Sequence, residues 1–547
     1  MDSVMSRPSD HLHLSPQPSS RAGRGSSVSR RRMLLGVVGR AAVMPGSATV
    51  TAIAALAALA ACAPSIPAGP PERARPTYPS ASDPLPGARG ASGATPARVE
   101  LWLPGRQADA TALEPFHAEF VAETPGAAGV TIQLVTNEDM MDRLTAALAA
   151  GTPPDVARLK EYRLADLGAR GALLPLDALV AKDSGVRLAD FTPQSVEGSR
   201  YPVTLSAEAR AGAVRPLLGV PDSHQMVVLF WNRDLLAQAG VDTSAPPADW
   251  DSLRRAARAV QALSGVAASA AAETRDDPNS TAGTAAAGAP RGFQFYEFSQ
   301  REQTYCWFME WVWRAGGEVW AGTDGTGGAP QNSSPGSSGT VRAALDTASA
   351  LRALQFHTDL LHGDRTAVRE GTPVPELIAN VAQGRAGFWM TTANAALTYA
   401  RTAPGLRFGM GPLPPDRRDA HQLQHNALAV FAGTREPDLA YRLVGFRSRA
   451  DVQARWAADG AWLPVRPALW TRPPFSDDPL WRAIGALVHR PGNRTKPVVR
   501  EWDAFTAEVL PPLLAAWRGD VTPKEALVRA QQAADARLAA GGQRPIA

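Results

Sequence analysis

The chain has 547 residues, too many for one hydrophobic core, so two lobes are expected. Its hydrophobic content of 45% and aromatic content of 7% are those of an ordinary globular protein. The net charge of +4 is misleading, because residues 1–61 contain seven arginines and two aspartates and leave 49 basic and 50 acidic side chains in residues 62–547. Such a neutral body has no basic field for nucleic acid, which excludes that class of partner.

Residues 1–61 have the pattern of an export signal. Ser29 to Leu35 resembles a twin-arginine motif, with a Ser and paired arginines before apolar residues. An Ala-rich apolar run, Thr49–Ala61, ends in Leu-Ala-Ala-Cys, which matches the cleavage box of bacterial lipoproteins and makes Cys62 the predicted lipidation site. An uncleaved membrane helix is the alternative, but the run is shorter than the roughly 20 apolar residues that a span needs. Twin-arginine and general export both stay open. We therefore expect an exported cell-envelope lipoprotein, on the outer face of the cytoplasmic membrane or in the periplasm.

Residues 62–97 are rich in Pro, Ala, Ser, Gly and Arg and poor in apolar side chains. Such a segment buries too little surface to fold, so we expect a flexible tether behind the lipid anchor.

The body opens with an alternation of predicted strands and helices. Strands are expected at Val99–Leu103, Val130–Val135 and Asp155–Leu159, and helices at Ala112–Val121 and Met140–Ala150. This order predicts parallel strands with crossover helices, and hence the α/β class. Ligands of open sheets lie beyond the carboxyl ends of the strands. The loops to examine are therefore 104–109, 136–139 and 160–162. Two further segments, 267–290 and 322–339, lack apolar periodicity and are interpreted as surface insertions.

Several motifs occur in an order that resembles one known family. The chain has Gly-Thr-Pro-Pro-Asp-Val at 151–156, Gly-Ala-Leu-Leu-Pro-Leu-Asp at 171–177 and Phe-Trp-Asn-Arg-Asp-Leu-Leu at 230–236. It continues with Asp-Trp-Asp-Ser-Leu at 249–253 and closes with Gly-Asp-Val-Thr-Pro-Lys-Glu-Ala-Leu at 519–527. In this order they resemble the extracellular solute-binding proteins of the sugar-binding, maltose-binding-protein-like family of ABC importers.

The resemblance implies a two-lobed periplasmic-binding-protein fold of type II, with a hinge and an interlobe cleft. It places lobe one at 98–222 and 395–428, and lobe two at 225–392 and 429–540. It also implies capture of a small polar solute, a mono- or oligosaccharide, for ABC permease subunits. The expected protein is a monomer without a cofactor, a bound metal or enzymatic activity.

Candidate ligand contacts were sought among aromatic faces and planar polar groups, because sugars present both apolar ring faces and hydroxyls. For each candidate, the alternative is an exposed loop residue or a core residue. His224 could instead be a hinge residue whose hydrogen bonds are satisfied within the protein. Trp389 is the preferred stacking platform. The predicted ligand-binding residues are Arg106, Gln107, Asn137, Glu138, Lys160, Glu161, Asp222, His224, Glu297, Trp307, Trp389, Asn394, His425 and Trp462.

Two other functions stay open from the residues alone. A secreted carbohydrate-active enzyme needs two paired carboxylates, and no motif pairs them. His421 and His425 have the i, i+4 spacing of a metal-binding helix, but no Glu lies between them and no third ligand is evident. A ligand-sensing lipoprotein without an importer would share the fold and the site.

Overall fold

The computed structural model describes residues 96–105, 107–137, 139–200, 215–273, 289–295, 301–322, 341–460, 462–495 and 502–540. The export signal, Cys62, nearly all of the predicted tether and the greater part of both predicted insertions lie outside these residues. The strands are β1 (Ala97–Pro104), β2 (Ala127–Val135), β3 (Val156–Lys160), β4 (Val220–Asn232), β5 (Arg291–Gln294), β6 (Trp320–Gly322), β7 (Val341–Ala343), β8 (Ala386–Thr392), β9 (Phe408–Gly411), β10 (His421–Val430) and β11 (Asn493–Arg494).

The helices alternate with these strands along most of the chain. They are α1 (Gln107–Glu123), α2 (Met140–Ala149), α3 (Glu161–Ala169), α4 (Asp177–Lys182), α5 (Pro193–Gly198), α6 (Arg233–Gln238), α7 (Trp250–Glu273), α8 (Arg301–Arg314), α9 (Ala348–Thr358), α10 (Val374–Ala382), α11 (Ala395–Thr402), α12 (Pro437–Arg447), α13 (Ala450–Gly460), α14 (Pro479–Val488), α15 (Trp502–Arg518) and α16 (Pro523–Ala540).

One mixed sheet runs through the described part of the chain, in the order β2-β1-β3-β10-β4-β8-β5, with β9 paired to β4 and β11 to β10. β1 is parallel to β2 and β3, whereas β10 is antiparallel to both β3 and β4. The predicted α/β class is confirmed. The carboxyl end of β3 meets the middle of β10, so the start of α3, which follows β3 directly, lies where β4 and β10 cross the molecule.

The hydrophobic cores divide the sheet into two lobes. The first core joins Val99 and Leu101 of β1 to Phe116 of α1 and to Val444 and Trp456 of α12 and α13. The second contains the α8 and α15 aromatics, among them Trp311 and Phe505. A further cluster around Phe230 and Trp389 covers the other side of the second lobe. β4 and β10 contribute side chains to both lobes, and the chain passes between the lobes along these two strands and again after α13.

The predicted division of the chain needs a correction. Residues 395–411 were placed in lobe one, but Ala396 and Met410 pack against Trp389 in the second lobe. Residues 437–456 were placed in lobe two, but they complete the first core. The reason is that β8 is an internal strand of the second lobe, paired to β4 and β5, and does not cross between lobes.

The local sequence explains where several of the helices begin and end. Gly151 adopts φ +71°, a conformation that favours glycine, and with Pro153 it stops α2 near the predicted residue. Asn232 caps α6, its Oδ1 accepting hydrogen bonds from the backbone N–H groups of Asp234 and Leu235. α7 runs on to Glu273, into the predicted insertion, because alanine is the strongest helix former.

Across the part of the chain that the structure covers, no helix combines the length and the apolar character needed to cross a bilayer.

Candidate functional site

The two crossing strands carry a polar stretch between the two cores. β4 and β10 pair antiparallel, so that His425 lies opposite His224, Gln424 opposite Gln225 and Asn426 opposite Ser223. Of these six side chains only that of Gln225 is half-exposed; the others are buried. Buried polar groups need hydrogen-bond partners, so a polar stretch in the middle of a sheet indicates an organised network.

Alternation along β10 separates this stretch into two sets. Gln422, Gln424 and Asn426 project to one face, and we call them the amide row. Gln424 donates from Nε2 to Oε1 of Gln422 at 2.5 Å, and Gln422 donates from Nε2 to the carbonyl oxygen of Cys306 at 3.4 Å. Asn426 donates from Nδ2 to Oγ of Ser223 at 3.2 Å. The amide row thus runs from α8 of the second lobe to the edge of the first.

Two opposite charges adjoin the amide row at the end of β3. Lys160 pairs with Asn426 across the sheet, and Glu161 follows as the first residue of α3. Both are buried, with 4% and 2% of their surface exposed. Glu161 accepts a hydrogen bond from the backbone N–H of His425, with 3.3 Å between nitrogen and Oε2. The structure places both residues where β3 meets β10, and their role as ligand contacts stays a prediction.

The first turn of α3 contacts the second lobe directly. The ring of Tyr162 lies 5.5 Å from that of Trp502, the first residue of α15, and is buried in the second lobe's core cluster. Arg163 donates to the backbone oxygen of Asn137 at 2.6 Å and pairs with Asp503 at 3.6 Å. The first turn of α3 therefore meets α15 beside the amide row, and Arg163 also binds the β2–α2 loop through Asn137. Sequence reasoning missed Trp502 and Asp503.

Asp222 was predicted as a ligand contact, but its carboxylate is already occupied. Oδ2 accepts from Nε of Arg158 at 2.6 Å, and Oδ1 accepts from Arg447 at 3.1 Å. Burial opposes the charge, yet the two guanidinium groups hold the pKa of Asp222 below its usual value. Asp222 therefore joins β3, β4 and α12 and has a structural role.

His224 and His425 are also structural. The hydroxyl of Thr192 forms a hydrogen bond with Nε2 of His224, 2.9 Å away, and Nδ1 of His224 lies 3.4 Å from the carbonyl oxygen of Gln424. The hydroxyl of Ser199 donates to Ser195 and accepts from Nε2 of His425 at 3.0 Å. Burial, with the charge of His425 as a smaller cause, lowers the pKa of His224 to about 3. Both imidazoles attach the ends of α5 to the crossing strands.

Two of the predicted tryptophans are core residues. Trp389 is 1% exposed and stacks on Phe230, with 5.5 Å between ring centroids and 9° between planes. Tyr399 covers its edge. Trp307 is buried in the second-lobe core, on α8, which also carries Tyr305, Phe308 and Trp311. The stacking role predicted for Trp389 is wrong, because both faces of the sheet at β8 are covered by helices and no face of the ring is left for a ligand.

The remaining described candidates lie near the crossing without a decided role. Trp462 is half-buried, with the guanidinium of Arg158 3.8 Å from its ring centroid. Asn394 is half-buried just before α11 and makes no side-chain cap. Asn137 is half-buried, and its Oδ1 accepts no hydrogen bond from any described residue. Only the backbone of Gln107 is described, at the start of α1, and Arg106, Glu138 and Glu297 lie outside the described residues.

Metal chemistry finds no support within the described ranges, where no group of three or more His, Cys, Asp or Glu side chains is placed to hold an ion.

Comparisons with known proteins agree with this architecture. A sequence model for the family described as bacterial extracellular solute-binding protein matches residues 104–454. Proteins named as binding proteins in Brucella abortus and Brucella suis are 22% identical over 424 residues, which is 77% of this chain and 88% of each relative.

Solved structures share the fold across most of their length. The GacH receptor of Streptomyces glaucescens, crystallised without ligand and with acarbose, has a TM-score of 0.62 at 20% identity and covers 80% of this chain and 97% of its own. The substrate-binding protein Lmo0181 of Listeria monocytogenes, solved with cycloalternan, has a TM-score of 0.63 at 17% identity, with coverages of 81% and 99%. MalE3 of T. maritima, solved with maltose, has a TM-score of 0.61 at 21% identity, with coverages of 80% and 98%.

Proposed function

Because this chain belongs to the family of bacterial extracellular solute-binding proteins, we propose that it captures a mono- or oligosaccharide between its lobes and delivers it to the permease subunits of an ABC importer. The observation that carries the proposal is the amide row beside Lys160 and Glu161, at the point where the two lobes meet. The family to which the chain belongs consists of solute-binding proteins, so the role that we propose for these residues is capture and not catalysis.

The chemistry of the site fits a polyhydroxylated ligand. Side-chain amides offer donors and acceptors in one plane, and a charged pair adds stronger hydrogen bonds than neutral groups give. Sugar hydroxyls take both kinds of bond. The rings of Tyr162 and Trp502, one from each side of the junction, supply apolar faces for the sugar ring once the lobes separate.

The relatives support the same ligand class. The three structures compared above were solved with acarbose, cycloalternan and maltose, all of them carbohydrates. Delivery to an importer also requires a location outside the cytoplasm, and we propose that lipidated Cys62 anchors a monomeric protein to the cell envelope through the 62–97 tether. Replacing Cys62 by Ser should release the protein from the membrane fraction, whereas continued membrane association would favour an uncleaved helix.

A thermal-shift screen tests the ligand class. Maltose, maltotriose, mannotriose, acarbose and tagatose form the panel, with dipeptides and spermidine as non-carbohydrate comparators. A sugar at about a hundredfold its dissociation constant should stabilise the protein by about 2.7 kcal/mol. Stabilisation by peptides or polyamines alone would move the ligand out of the carbohydrate class.

Variants connect the binding to the site. Glu161→Gln should weaken the binding of the panel sugar that gives the largest shift, measured by calorimetry, because a neutral amide accepts weaker hydrogen bonds than a carboxylate. Glu376→Gln, on the exposed side of α10, is the matched control and should leave affinity unchanged. Equal affinities for the two variants would place the site elsewhere.

A further inference from the structure

The amide row has a defined direction. The two ends of a glutamine amide have the same shape but opposite chemistry, since NH2 donates and oxygen accepts. The carbonyl oxygen of Cys306 can only accept, and it lies 3.4 Å from Nε2 of Gln422. The opposite orientation would bring two oxygens together. Nε2 of Gln422 therefore faces α8, and its Oε1 faces Gln424.

The orientation of the Gln422 amide fixes the orientation of the Gln424 amide. Oε1 of Gln422 can only accept, so Gln424 must turn its NH2 toward it, at 2.5 Å. Oε1 of Gln424 is then the end that points away from Gln422. None of the described residues donates a hydrogen bond to it, and Gln424 is partnered across the strands by Gln225, which is half-exposed. The amide row thus reaches accessible space with an acceptor.

We propose that Gln424 is a specificity-determining residue, which presents its side-chain oxygen to a donor group of the ligand and is held in that orientation by Gln422. The inference rests on the proposed function, since it names the group that the capture site reads. The group is a hydroxyl or N–H hydrogen. An ether oxygen or a fluorine at the same position only accepts, and it would face the oxygen of Gln424 without a hydrogen bond.

The fixed direction is what makes the residue selective. An isolated glutamine turns its amide over to suit a donor or an acceptor, and it therefore discriminates little between them. Turning Gln424 over would place its oxygen against Oε1 of Gln422 and leave two buried acceptors facing each other. Gln422 and the Cys306 carbonyl are accordingly positioning groups, and they act on the ligand only through Gln424.

Two experiments without ligand decide the direction. Neutron diffraction from crystals of the perdeuterated wild-type protein locates the deuterons of both amides; deuterons on Gln424 aimed at Gln422 support the proposal, and deuterons aimed away overturn it. In solution, carbon NMR measures the pKa of the carboxyl group introduced by Gln424→Glu, alone and together with Gln422→Leu. When protonated, that carboxyl donates to Oε1 of Gln422, so loss of Gln422 should lower its pKa; a higher or unchanged pKa would overturn the proposal.

A third experiment tests the selectivity with the panel sugar that binds most tightly. Each of its hydroxyls is replaced in turn by fluorine, and calorimetry compares the wild type with Gln424→Leu. At one position the wild type should lose about tenfold in affinity, while Gln424→Leu binds the hydroxyl and fluoro forms within about twofold of each other. Gln383→Leu, exposed at the end of α10, should behave as the wild type.

Different outcomes would contradict the proposed carbohydrate function and the proposed role of Gln424. If no panel sugar binds, the proposed carbohydrate function fails, while the neutron and NMR measurements still decide the direction of the amides. If a sugar binds and the fluoro series gives the same pattern for the wild type and Gln424→Leu, the proposed function stands and the role of Gln424 is overturned.

Discussion

The side chain of Trp389 is buried by packing and is therefore inaccessible to a ligand. It stacks on Phe230 and contacts Tyr399, inside a cluster that also holds Met226 and Ile484. Trp389→Ala should lower the free energy of unfolding by about 3–5 kcal/mol, the cost of removing a large buried aromatic. Chemical denaturation measures it, with Trp389→Phe as a milder control. A variant of wild-type stability with weakened sugar binding would instead restore the stacking interpretation.

Glu310 makes stability depend on pH near neutrality. Its Oε1 accepts from Arg314 at 2.9 Å, and both side chains are fully buried. Burial raises the pKa of Glu310 to about 7, although Arg314 opposes the rise. A carboxyl with a raised pKa binds more protons when folded than when unfolded. Its contribution is therefore complete below about pH 4.5 and is lost as pH rises through about 7.

Glu310 should therefore lower the free energy of unfolding as pH rises from about 4.5 to about 7, by at most about 1.4 kcal/mol per pH unit. Buried histidines such as His224, whose pKa is lowered to about 3, act in the opposite direction up to about pH 6.5, so the contribution of Glu310 is the difference between the wild type and a variant. Glu310→Gln should remove this contribution, because the amide does not titrate, so between pH 5 and 7 the slope of the free energy of unfolding against pH should be more positive for the variant than for the wild type. Denaturation at a series of pH values measures the slope, and Glu376→Gln, with its exposed carboxyl, should keep the wild-type slope. Identical slopes in the wild type and Glu310→Gln would assign the pH dependence to other groups.

At the scale of elements, α5 is attached to the crossing strands through two hydroxyl–imidazole pairs at its ends, Thr192 with His224 and Ser199 with His425. Ser199→Ala should lower the free energy of unfolding by about 1–3 kcal/mol, because it leaves the buried Nε2–H of His425 without its acceptor. The exposed Ser184→Ala is the matched control. Equal melting temperatures for the two variants would contradict the assigned pairing.

Elements with a strong local pattern were predictable from the sequence. The expected strands at 99–103, 130–135 and 155–159 lie within or beside β1, β2 and β3, and the two expected helices correspond to α1 and α2. β10 has the opposite character, because His-Gln-Leu-Gln-His-Asn shows no apolar alternation. It forms a strand since β3 and β4 supply its backbone partners and the amide row pairs internally. The β-propensities of the individual residues do not report these tertiary contacts.

The candidate site was predictable only in part, for a related reason. The positions of Lys160 and Glu161 beside the crossing strands were predictable, because the residues that follow a strand are placed by sequence distance alone. Whether Trp389 is core or platform depends on α11 and β9, whose packing no local pattern reveals. Trp502 meets Tyr162 from a distant part of the chain, so its place beside the site is a property of the fold and not of its neighbours in sequence.

At the scale of the whole molecule, the contact of Tyr162 and Arg163 with α15 holds the two lobes together. Tyr162→Ala should shift the unliganded protein toward an open form, because it removes a buried ring from the junction. Small-angle X-ray scattering should show a larger radius of gyration, and the sugar should dissociate faster. The substitution Tyr441→Ala, within the first lobe, is the control for a general loss of packing. Unchanged scattering for Tyr162→Ala would show that the ring does not hold the lobes together.

The return of α12 and α13 to the first lobe sets an order of events during synthesis. Val99, Leu101 and Phe116 emerge early from the ribosome, but Val444 and Trp456, which close the same core, are translated only after most of the second lobe. Contacts so distant along the chain delay folding. The first lobe therefore stays incompletely folded while most of the second lobe is being translated. If the protein is exported unfolded, this delay helps to keep it unfolded before export. If it is exported folded, the incomplete first lobe needs protection from aggregation until α12 and α13 have been translated.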